Sequence, residues 1–180
     1  NIYERKGEYD EMMNFINQGK QILADSAVPF GAIHLELELS WVLLQERFGN
    51  NNLALQTLHK MLADAERLPQ TPQLENTTGY IYRVLGVVLW DLSRYTESVV
   101  AYQKAVPIIS RSATESTAGT LLDIADDYLR IGDINECQIY IAKGQDIAQK
   151  RGDLDLIAYA RFLKGETLLT LGKPTEAVTE

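Results

Sequence analysis

The sequence predicts an all-α fold in which helical hairpins stack one after another into a right-handed α-α superhelix. Three observations lead to this prediction. Apolar residues recur at the three- and four-residue spacing of helices that bury one face. Turn residues interrupt that pattern about every 40 residues, and a small or adaptable residue follows each turn at the same distance. A repeated unit of two helices accounts for all three regularities.

The stretch 79–106 contains the clearest hairpin. The buried face of its first helix is predicted to carry Tyr82, Leu85, Gly86 and Leu89, at the spacing i, i+3, i+4 and i+7. The pattern breaks at Ser93 and Arg94. It resumes on a second helix with Tyr95, Ser98, Tyr102 and Ala105. The small residues Gly86 and Ser98 therefore lie where the two helix backbones are expected to approach closely.

Five turns divide the chain into hairpins. They are Lys6-Gly7-Glu8, Phe48-Gly49-Asn50, Leu92-Ser93-Arg94, Ile131-Gly132-Asp133 and Leu171-Gly172-Lys173. Glycine at a helix end adopts the left-handed conformation without steric cost, and four of the five turns contain it. The small or adaptable residues that follow are Met12, Ala54, Ser98, Cys137 and Ala177. We therefore expect one domain over 1–180, with repeats at 1–28 (partial), 32–68, 76–112, 115–151 and 155–180 (partial).

The order of residue types in the 79–106 hairpin resembles the tetratricopeptide repeat. An aromatic residue, a Leu-Gly pair and a bulky residue precede the turn, and a small residue, an aromatic residue and an alanine follow it. The repeat here is longer than the roughly 34 residues of the standard unit. In this respect it is similar to the arrays of large bacterial signalling proteins, such as transcription regulators, sensor kinases and diguanylate cyclases. The resemblance implies a regulatory or protein-binding module.

Two registers are open in the second repeat. Pairing Leu39 with Ser40 places Leu43 in the core, whereas the alternative takes Trp41 and Val42 as the large and small residues. The first register is preferred because a close helix crossing needs a small residue.

The connection between the second and third repeats is expected to be the longest loop. Pro69 and Pro72 oppose helix formation, which predicts a loop over 68–75 with Thr77 or Thr78 as the following helix cap. Ser112 and Thr114 are candidate caps for the helix of the fourth repeat.

Composition limits the kinds of partner. A formal net charge of -8 disfavours direct binding to nucleic acid, which requires a basic surface. No apolar run is long enough to span a membrane. The single cysteine, Cys137, cannot form an intrachain disulfide. We expect a cytoplasmic location, with a periplasmic or extracytoplasmic sensor domain as the alternative.

The chain starts at Asn1 without a methionine, and its outer repeats are incomplete. It is therefore interpreted as a piece of a longer protein. Apolar faces near Ile16 and Leu168 are expected to lack cover, which predicts self-association through the ends of the array.

Catalytic and metal-binding motifs are missing from the sequence. It contains neither a phosphate-binding Gly-x-x-x-x-Gly-Lys loop nor a His-Glu-x-x-His motif, and it predicts no cofactor and no enzyme activity. His34 and His59 lie in different repeats, and Cys137 occupies a core position. One acidic cluster, Asp123, Asp126 and Asp127, has the spacing to share a cation. An exposed ion pair with Arg130 is the favoured alternative.

The first helix of each hairpin is expected to line the concave side of the array. The residues predicted to bind a partner there are Trp41, Leu44, Tyr80, Arg83, Val87, Trp90, Asp91, Asp126, Arg130, Tyr159, Phe162 and Glu166. Aromatic residues and arginine are typical of binding hot spots. The alternative is that these aromatic side chains pack against neighbouring helices.

The predicted function is a non-enzymatic module that binds a protein or peptide on this concave face. A structural spacer or self-association scaffold is the alternative function. An enzyme activity requires residues outside this sequence.

Overall fold

A computed structural model describes residues 2–112 and 114–178, with side chains over 7–111 and 117–178. Within this part of the chain the secondary structure is helical, and no strand occurs. The helices are α1 (Ile2–Asp25), α2 (Ala32–Arg47), α3 (Asn51–Arg67), α4 (Pro72–Asp91), α5 (Tyr95–Ser112), α6 (Thr114–Ile131), α7 (Ile134–Arg151), α8 (Leu154–Thr170) and α9 (Pro174–Ala177). The predicted all-α class is confirmed.

Four of the five predicted turns are present. Gly49, Ser93, Gly132 and Gly172 have backbone φ angles of 79°, 58°, 88° and 73°, and each lies between the two helices of a predicted hairpin. At Ser93 a non-glycine residue adopts the left-handed conformation, and its N–H donates to the carbonyl of Trp90 at 2.7 Å. These turns close the preceding helix by satisfying its last carbonyls.

The predicted turn at Gly7 is wrong, because α1 continues through it without interruption. A glycine inside a helix costs only about 1 kcal/mol relative to alanine, so a single glycine does not force the helix to end. The other four turn residues differ because they lie where the chain reverses direction between helices.

The predicted loop over 68–75 is also too long. Only residues 68–71 separate α3 from α4, and the backbone N–H of Leu74 donates to Thr71 Oγ1 at 3.1 Å. Pro72 fits because the first turn of a helix needs no N–H donor there. Thr77 and Thr78 are not caps, since each donates its hydroxyl to the carbonyl four residues earlier inside α4. The side chains of the predicted caps Ser112 and Thr114 lie outside the described residues.

The chain divides into two compact units, Asn1–Val84 and Leu85–Glu180. In the first unit α1 packs against α2, and α2 packs against α3. Val42 is fully buried whereas Ser40 and Leu43 are exposed, so the second register considered for this repeat is the correct one. The close approach in this unit comes from Gly19, where an added Cβ would lie 3.1 Å from Leu37 Cδ2.

In the second unit α6 is the central helix, packed against α5, α7 and α8. Its core combines the buried residues Leu122, Ala125, Leu129, Cys137, Ile141, Ala160 and Leu163. The Cys137 thiol lies 3.4 Å from Thr167 Oγ1, and burial raises its pKa above the usual range. Cys137 therefore has the core position that its place in the repeat predicts, as a neutral thiol.

The α4–α5 hairpin is held together at Gly86. Ser98 Oγ donates to the Gly86 carbonyl at 2.9 Å, and a Cβ on Gly86 would lie 2.4 Å from the Tyr102 ring. Gly86, Ser98 and Ala125 are buried, as the small-residue pattern predicts. Ala177, the corresponding residue of the last repeat, is only half-buried in the short helix α9.

None of the described helices combines the length and the hydrophobicity that a membrane crossing requires.

We expect Gly86→Ala to lower the free energy of unfolding by about 1–3 kcal/mol, because the new methyl group must displace the packed Tyr102 ring. Urea denaturation followed by circular dichroism measures this change. The matched control is Gly119→Ala, where the added Cβ meets Leu156 at an ordinary 3.7 Å. The control should be neutral or stabilising, by up to about 1 kcal/mol, because alanine favours helix. Equal losses in both variants would contradict the close-crossing argument.

Candidate functional site

The second unit contains a pocket of about 230 Å³ whose walls come from α4, α5, α6 and α8. We call it the acidic–aromatic pocket, and its lining residues are Val87, Trp90, Asp91, Tyr102, Asp123, Asp126 and Tyr159. Five of these residues belong to the predicted binding surface: Val87, Trp90, Asp91, Asp126 and Tyr159. The sequence pattern therefore identified most of this pocket.

Asp126 is held in the wall of the pocket by two neighbours. Its Oδ2 accepts a hydrogen bond from Trp90 Nε1 at 3.1 Å, and its Oδ1 accepts from Arg130 Nε at 3.2 Å. Arg130 Nη2 lies 3.1 Å from the same Oδ1, one helical turn along α6. These contacts fix the indole of Trp90 and the carboxylate of Asp126 in one orientation.

The ion pair with Arg130 exists, but the expectation that the acidic cluster forms an exposed face is wrong. Asp126 and Asp127 are both buried, and Asp123 is half-buried. The reason is the central place of α6, which is covered by helices on three sides. Sequence spacing alone does not reveal how many sides of a helix are covered.

Asp127 is 0% exposed, and neither carboxylate oxygen has a hydrogen-bond partner within the described residues. Burial raises the pKa of this carboxyl to about 7, and repulsion by Asp126 and Asp123 adds to the increase. The nearby Ser98 hydroxyl lowers the pKa, but its hydrogen is donated to the Gly86 carbonyl. Asp127 is therefore a group whose charge changes near neutral pH.

Aromatic rings form the other side of the pocket. Trp90 contacts Tyr95 edge-on with ring centroids 6.4 Å apart. The pKa of Tyr159 is raised by burial and then by the charges of Asp123 and Asp126, so its phenol stays protonated. The Tyr159 ring also stacks on Phe162, with centroids 6.5 Å apart. The pocket thus combines carboxylates with the faces and edges of neutral aromatic rings.

A second cavity, of about 610 Å³, lies along the outer side of α8 next to this stacked pair. We call it the α8 apolar face, and its lining residues are Leu154, Ile157, Ala158, Arg161, Phe162, Gly165, Glu166, Leu169, Ala177 and Val178. Leu154 is 77% exposed and Phe162 is 55% exposed. The predicted residues Phe162 and Glu166 lie here rather than in the acidic–aromatic pocket.

The remaining predicted residues belong to the first unit. Tyr80 lines a cavity of about 370 Å³ between α2 and α4, where Glu36 accepts a hydrogen bond from Gln73 and Thr77 Oγ1 lies 2.9 Å from Glu36 Oε1. Trp41 is half-buried with the Lys20 ammonium 5.5 Å from its ring centroid. Leu44 is buried in the core. Arg83 is half-buried, and its Nε has no hydrogen-bond partner in the described part of the chain.

Ile16 itself is buried, and the exposed apolar side chains near it belong to other residues of α1. The exposed apolar side chains of α1 include Phe15 and Ile22, on another side of the helix. Phe15 immediately precedes Ile16, and consecutive residues of a helix point in different directions. A shift of one residue in register therefore exchanges a buried residue for an exposed one.

The sequence pattern missed Asp123 and Tyr102 as pocket residues. The sequence predicts Asp123 only as a member of the acidic cluster, and Tyr102 only as a core residue of its hairpin, but both line the pocket. The i, i+3 spacing of Asp123 and Asp126 indicates that Asp123 belongs with the predicted residue Asp126, since residues at that spacing share one helix face.

Metal-ligand geometry does not occur among the described residues, where no group of three or more His, Cys, Asp or Glu side chains could hold an ion. His59 is exposed, and His34 Nδ1 accepts a hydrogen bond from the Gly31 N–H at 3.3 Å. The His34 contact lies at the start of α2 and has a structural role.

Comparison with protein-family models and with curated proteins finds no match. Among solved structures, the fold is similar to aspartyl phosphate phosphatase F from Bacillus subtilis, with a TM-score of 0.76 and 19% identity over 98% of this chain. The chain spans 46% of the length of that protein. BtubC (BKLC) from P. vanneervenii gives a TM-score of 0.69 and 14% identity, over 96% of this chain and 70% of that one. At these identities the similarity establishes the helical-repeat fold alone.

We expect the stabilising effect of Asp127→Asn to grow as pH rises. The folded carboxyl has a pKa of about 7, above its usual 3.8, so the folded state binds the proton more tightly than the unfolded state. The resulting cost of ionisation is absent well below pH 3.8, increases between that value and about pH 7, and then levels off. Urea denaturation at about pH 5 and pH 8 should show an advantage for the variant that is larger at pH 8, by on the order of 2 kcal/mol.

The control for that experiment is Asp146→Asn, which changes an exposed aspartate paired with Lys150 on α7. It should alter stability by less than about 1 kcal/mol at either pH. An advantage of Asp127→Asn that is equal at both pH values would show that the carboxyl does not titrate in this range.

Proposed function

We propose that this chain is a protein-binding module in which the acidic–aromatic pocket receives a basic side chain from a segment of the partner. The module belongs to a larger bacterial signalling or regulatory protein. It acts by binding and catalyses no reaction.

The observation that carries this proposal is the arrangement around Asp126. Its carboxylate is fixed by Trp90 and Arg130 within a pocket that Asp91 and Asp123 also line. Three carboxylates line the pocket, and a lining of this kind favours a cationic ligand over an anionic one. The aromatic rings of Trp90 and Tyr159 add the negative faces on which ammonium and guanidinium groups bind.

The α8 apolar face supports a ligand longer than one side chain. It adjoins the pocket through the stacked rings of Tyr159 and Phe162 and exposes apolar side chains beside Glu166. A partner segment that places a basic residue in the pocket and an apolar residue on α8 uses both surfaces.

The first unit carries the other residues of the predicted binding surface. We propose that Trp41, Tyr80 and Arg83, each of them half-buried, offer a contact surface on that unit by itself. Leu44 is buried in the core of the unit and supports this surface without reaching a partner.

The similar Bacillus protein is an aspartyl phosphate phosphatase. We do not assign that activity to this chain. A pocket lined by several carboxylates repels a phosphoryl group, which needs cationic or N–H donors around it.

We expect the peptide acetyl-Leu-Arg-Leu-amide to quench or shift the fluorescence of Trp90. The Trp41→Phe variant serves as the parent, because it leaves Trp90 as the single tryptophan. Trp90→Ala, introduced in the otherwise unchanged chain and measured by calorimetry, should weaken binding by about 2 kcal/mol.

The matched ligand control replaces arginine with citrulline, which keeps the shape of the side chain and removes its charge. This peptide should bind at least tenfold more weakly if the carboxylates provide the attraction. Equal binding of both peptides would contradict the charge argument. If Lys143→Ala abolishes binding and Trp90→Ala does not, the binding site lies instead on the surface where Lys143 lies over Tyr140.

A second candidate function is self-association through the α8 apolar face. Leu154, Phe162 and Leu169 are all more than half exposed on this one helix, and contiguous exposed apolar side chains mark interaction sites. The module then acts as a scaffold that joins copies of the protein.

Sedimentation equilibrium over a wide concentration range distinguishes the two functions. If self-association is the function, the chain should dimerise without any ligand, and Phe162→Ser should weaken the dimer at least tenfold by removing a large apolar anchor. The control Ile22→Ser changes a similarly exposed apolar residue on α1 and should leave the dimer intact. A chain that remains monomeric at millimolar concentration excludes this function for the α8 face.

A further inference from the structure

We propose that a proton on the buried carboxyl group of Asp127 controls how tightly the acidic–aromatic pocket holds a basic side chain. This inference rests on the proposed function, because it concerns the regulation of the same pocket. The cation binds more tightly when Asp127 is ionised, and its binding releases the proton.

The carboxylate that lines the pocket and the buried carboxyl that binds the proton belong to adjacent residues of one helix, α6. Asp126 faces the pocket, where Trp90 and Arg130 hold its carboxylate. Asp127 points elsewhere, since consecutive side chains of a helix differ by about 100° in direction. It lies near Ser98 of α5 and is closed off from solvent with both oxygens unpaired in the described structure.

Among the described residues, none of the groups that act on Asp127 is a cation that compensates its charge. On α6 the charged groups that act on it are Asp126 and Asp123, and both oppose its ionisation. From α5 it meets the uncharged hydroxyl of Ser98, and from α8 the protonated phenol of Tyr159 interacts with it. Cys137 of α7 presents a neutral thiol to the same core. Arg130, the nearby cation, is already paired with Asp126.

A cation in the pocket reduces the electrostatic cost of ionising Asp127. Its positive charge offsets Asp123 and Asp126, which are the charges that oppose ionisation of Asp127. By linkage, a ligand that favours the ionised form must itself bind that form more tightly. At an effective dielectric constant near 20, and with screening by salt, interactions between charges that do not touch change affinity by about three- to tenfold.

The test uses the unsubstituted chain and the probe acetyl-Leu-Arg-Leu-amide, whose guanidinium keeps its charge throughout the range studied. Fluorescence titrations at about pH 6 and pH 8 should show about three- to tenfold tighter binding at the higher pH. Calorimetry in phosphate and in Tris, which differ in ionisation enthalpy, should show that protons are released on binding. In Asp127→Asn the probe should still bind, with the same affinity at both pH values.

Asp146→Asn is the control, because it removes an exposed aspartate and should retain the pH dependence of the parent. Carboxyl NMR of the parent chain provides a measurement that needs no variant. The titration midpoint of the Asp127 resonance should move to lower pH when the probe is added.

Two results overturn the inference while leaving the proposed function intact. One is binding of equal affinity at both pH values, and the other is a pH dependence that survives in Asp127→Asn. Failure of the probe to bind at either pH overturns the proposed function, and the linkage with it.

Discussion

The packing of the Tyr102 ring against Gly86 sets the geometry on which the second unit depends. The ring occupies the space that any Cβ would need, and the Ser98 hydroxyl binds the carbonyl of the same glycine. This contact fixes how closely α4 and α5 approach. Trp90 follows Gly86 by one helical turn, so the position of its indole relative to Asp126 depends on the same crossing. Tyr102 itself extends from this contact into the lining of the pocket.

The electrostatics of the site follow from burying an acidic helix. α6 carries three aspartates and is covered on three sides, which places their carboxylates in surroundings of low polarity. Asp126 is stabilised by hydrogen bonds from the Trp90 indole and the Arg130 guanidinium, whereas Asp127 has none in the described structure. A buried carboxyl without partners costs stability unless it is protonated. Asp127 is the basis for the proposed proton linkage because it is buried without hydrogen-bond partners next to Asp126, which lines the pocket.

The two surfaces of the second unit suit different parts of one ligand. The acidic–aromatic pocket gives charge selectivity, because carboxylates and aromatic rings together favour a cation over an anion. The α8 apolar face provides apolar surface that a ligand can bury, and burial of such surface provides most of the free energy in protein association. Their junction at the Tyr159–Phe162 pair allows one partner segment to use both. If the α8 face instead holds a second copy of the chain, the pocket remains available beside that interface.

The sequence by itself determined the fold class and most helix boundaries. Hairpin turns at Gly49, Ser93, Gly132 and Gly172 were predictable because the left-handed conformation and the break in apolar periodicity are local properties. The burial of Gly86 and Ser98 followed from the same pattern. Predictions failed where the same residue type is compatible with two local structures, such as a helix interior and a helix end. Gly7 is tolerated inside α1, and Thr71 rather than Thr77 or Thr78 caps α4.

Only the tertiary structure decided the character of the site. Periodicity placed Trp90, Asp126 and Tyr159 on the first helices of their hairpins, but it could not show that four helices meet around them. It also assigned the acidic cluster to an exposed face, because covering α6 on three sides is a consequence of long-range packing. The hydrogen bond between Trp90 and Asp126 joins residues 36 positions apart, and nothing local encodes it. The sequence thus determined which residues lie on each helix, and packing between helices determined which of them are buried, paired or left to bind a ligand.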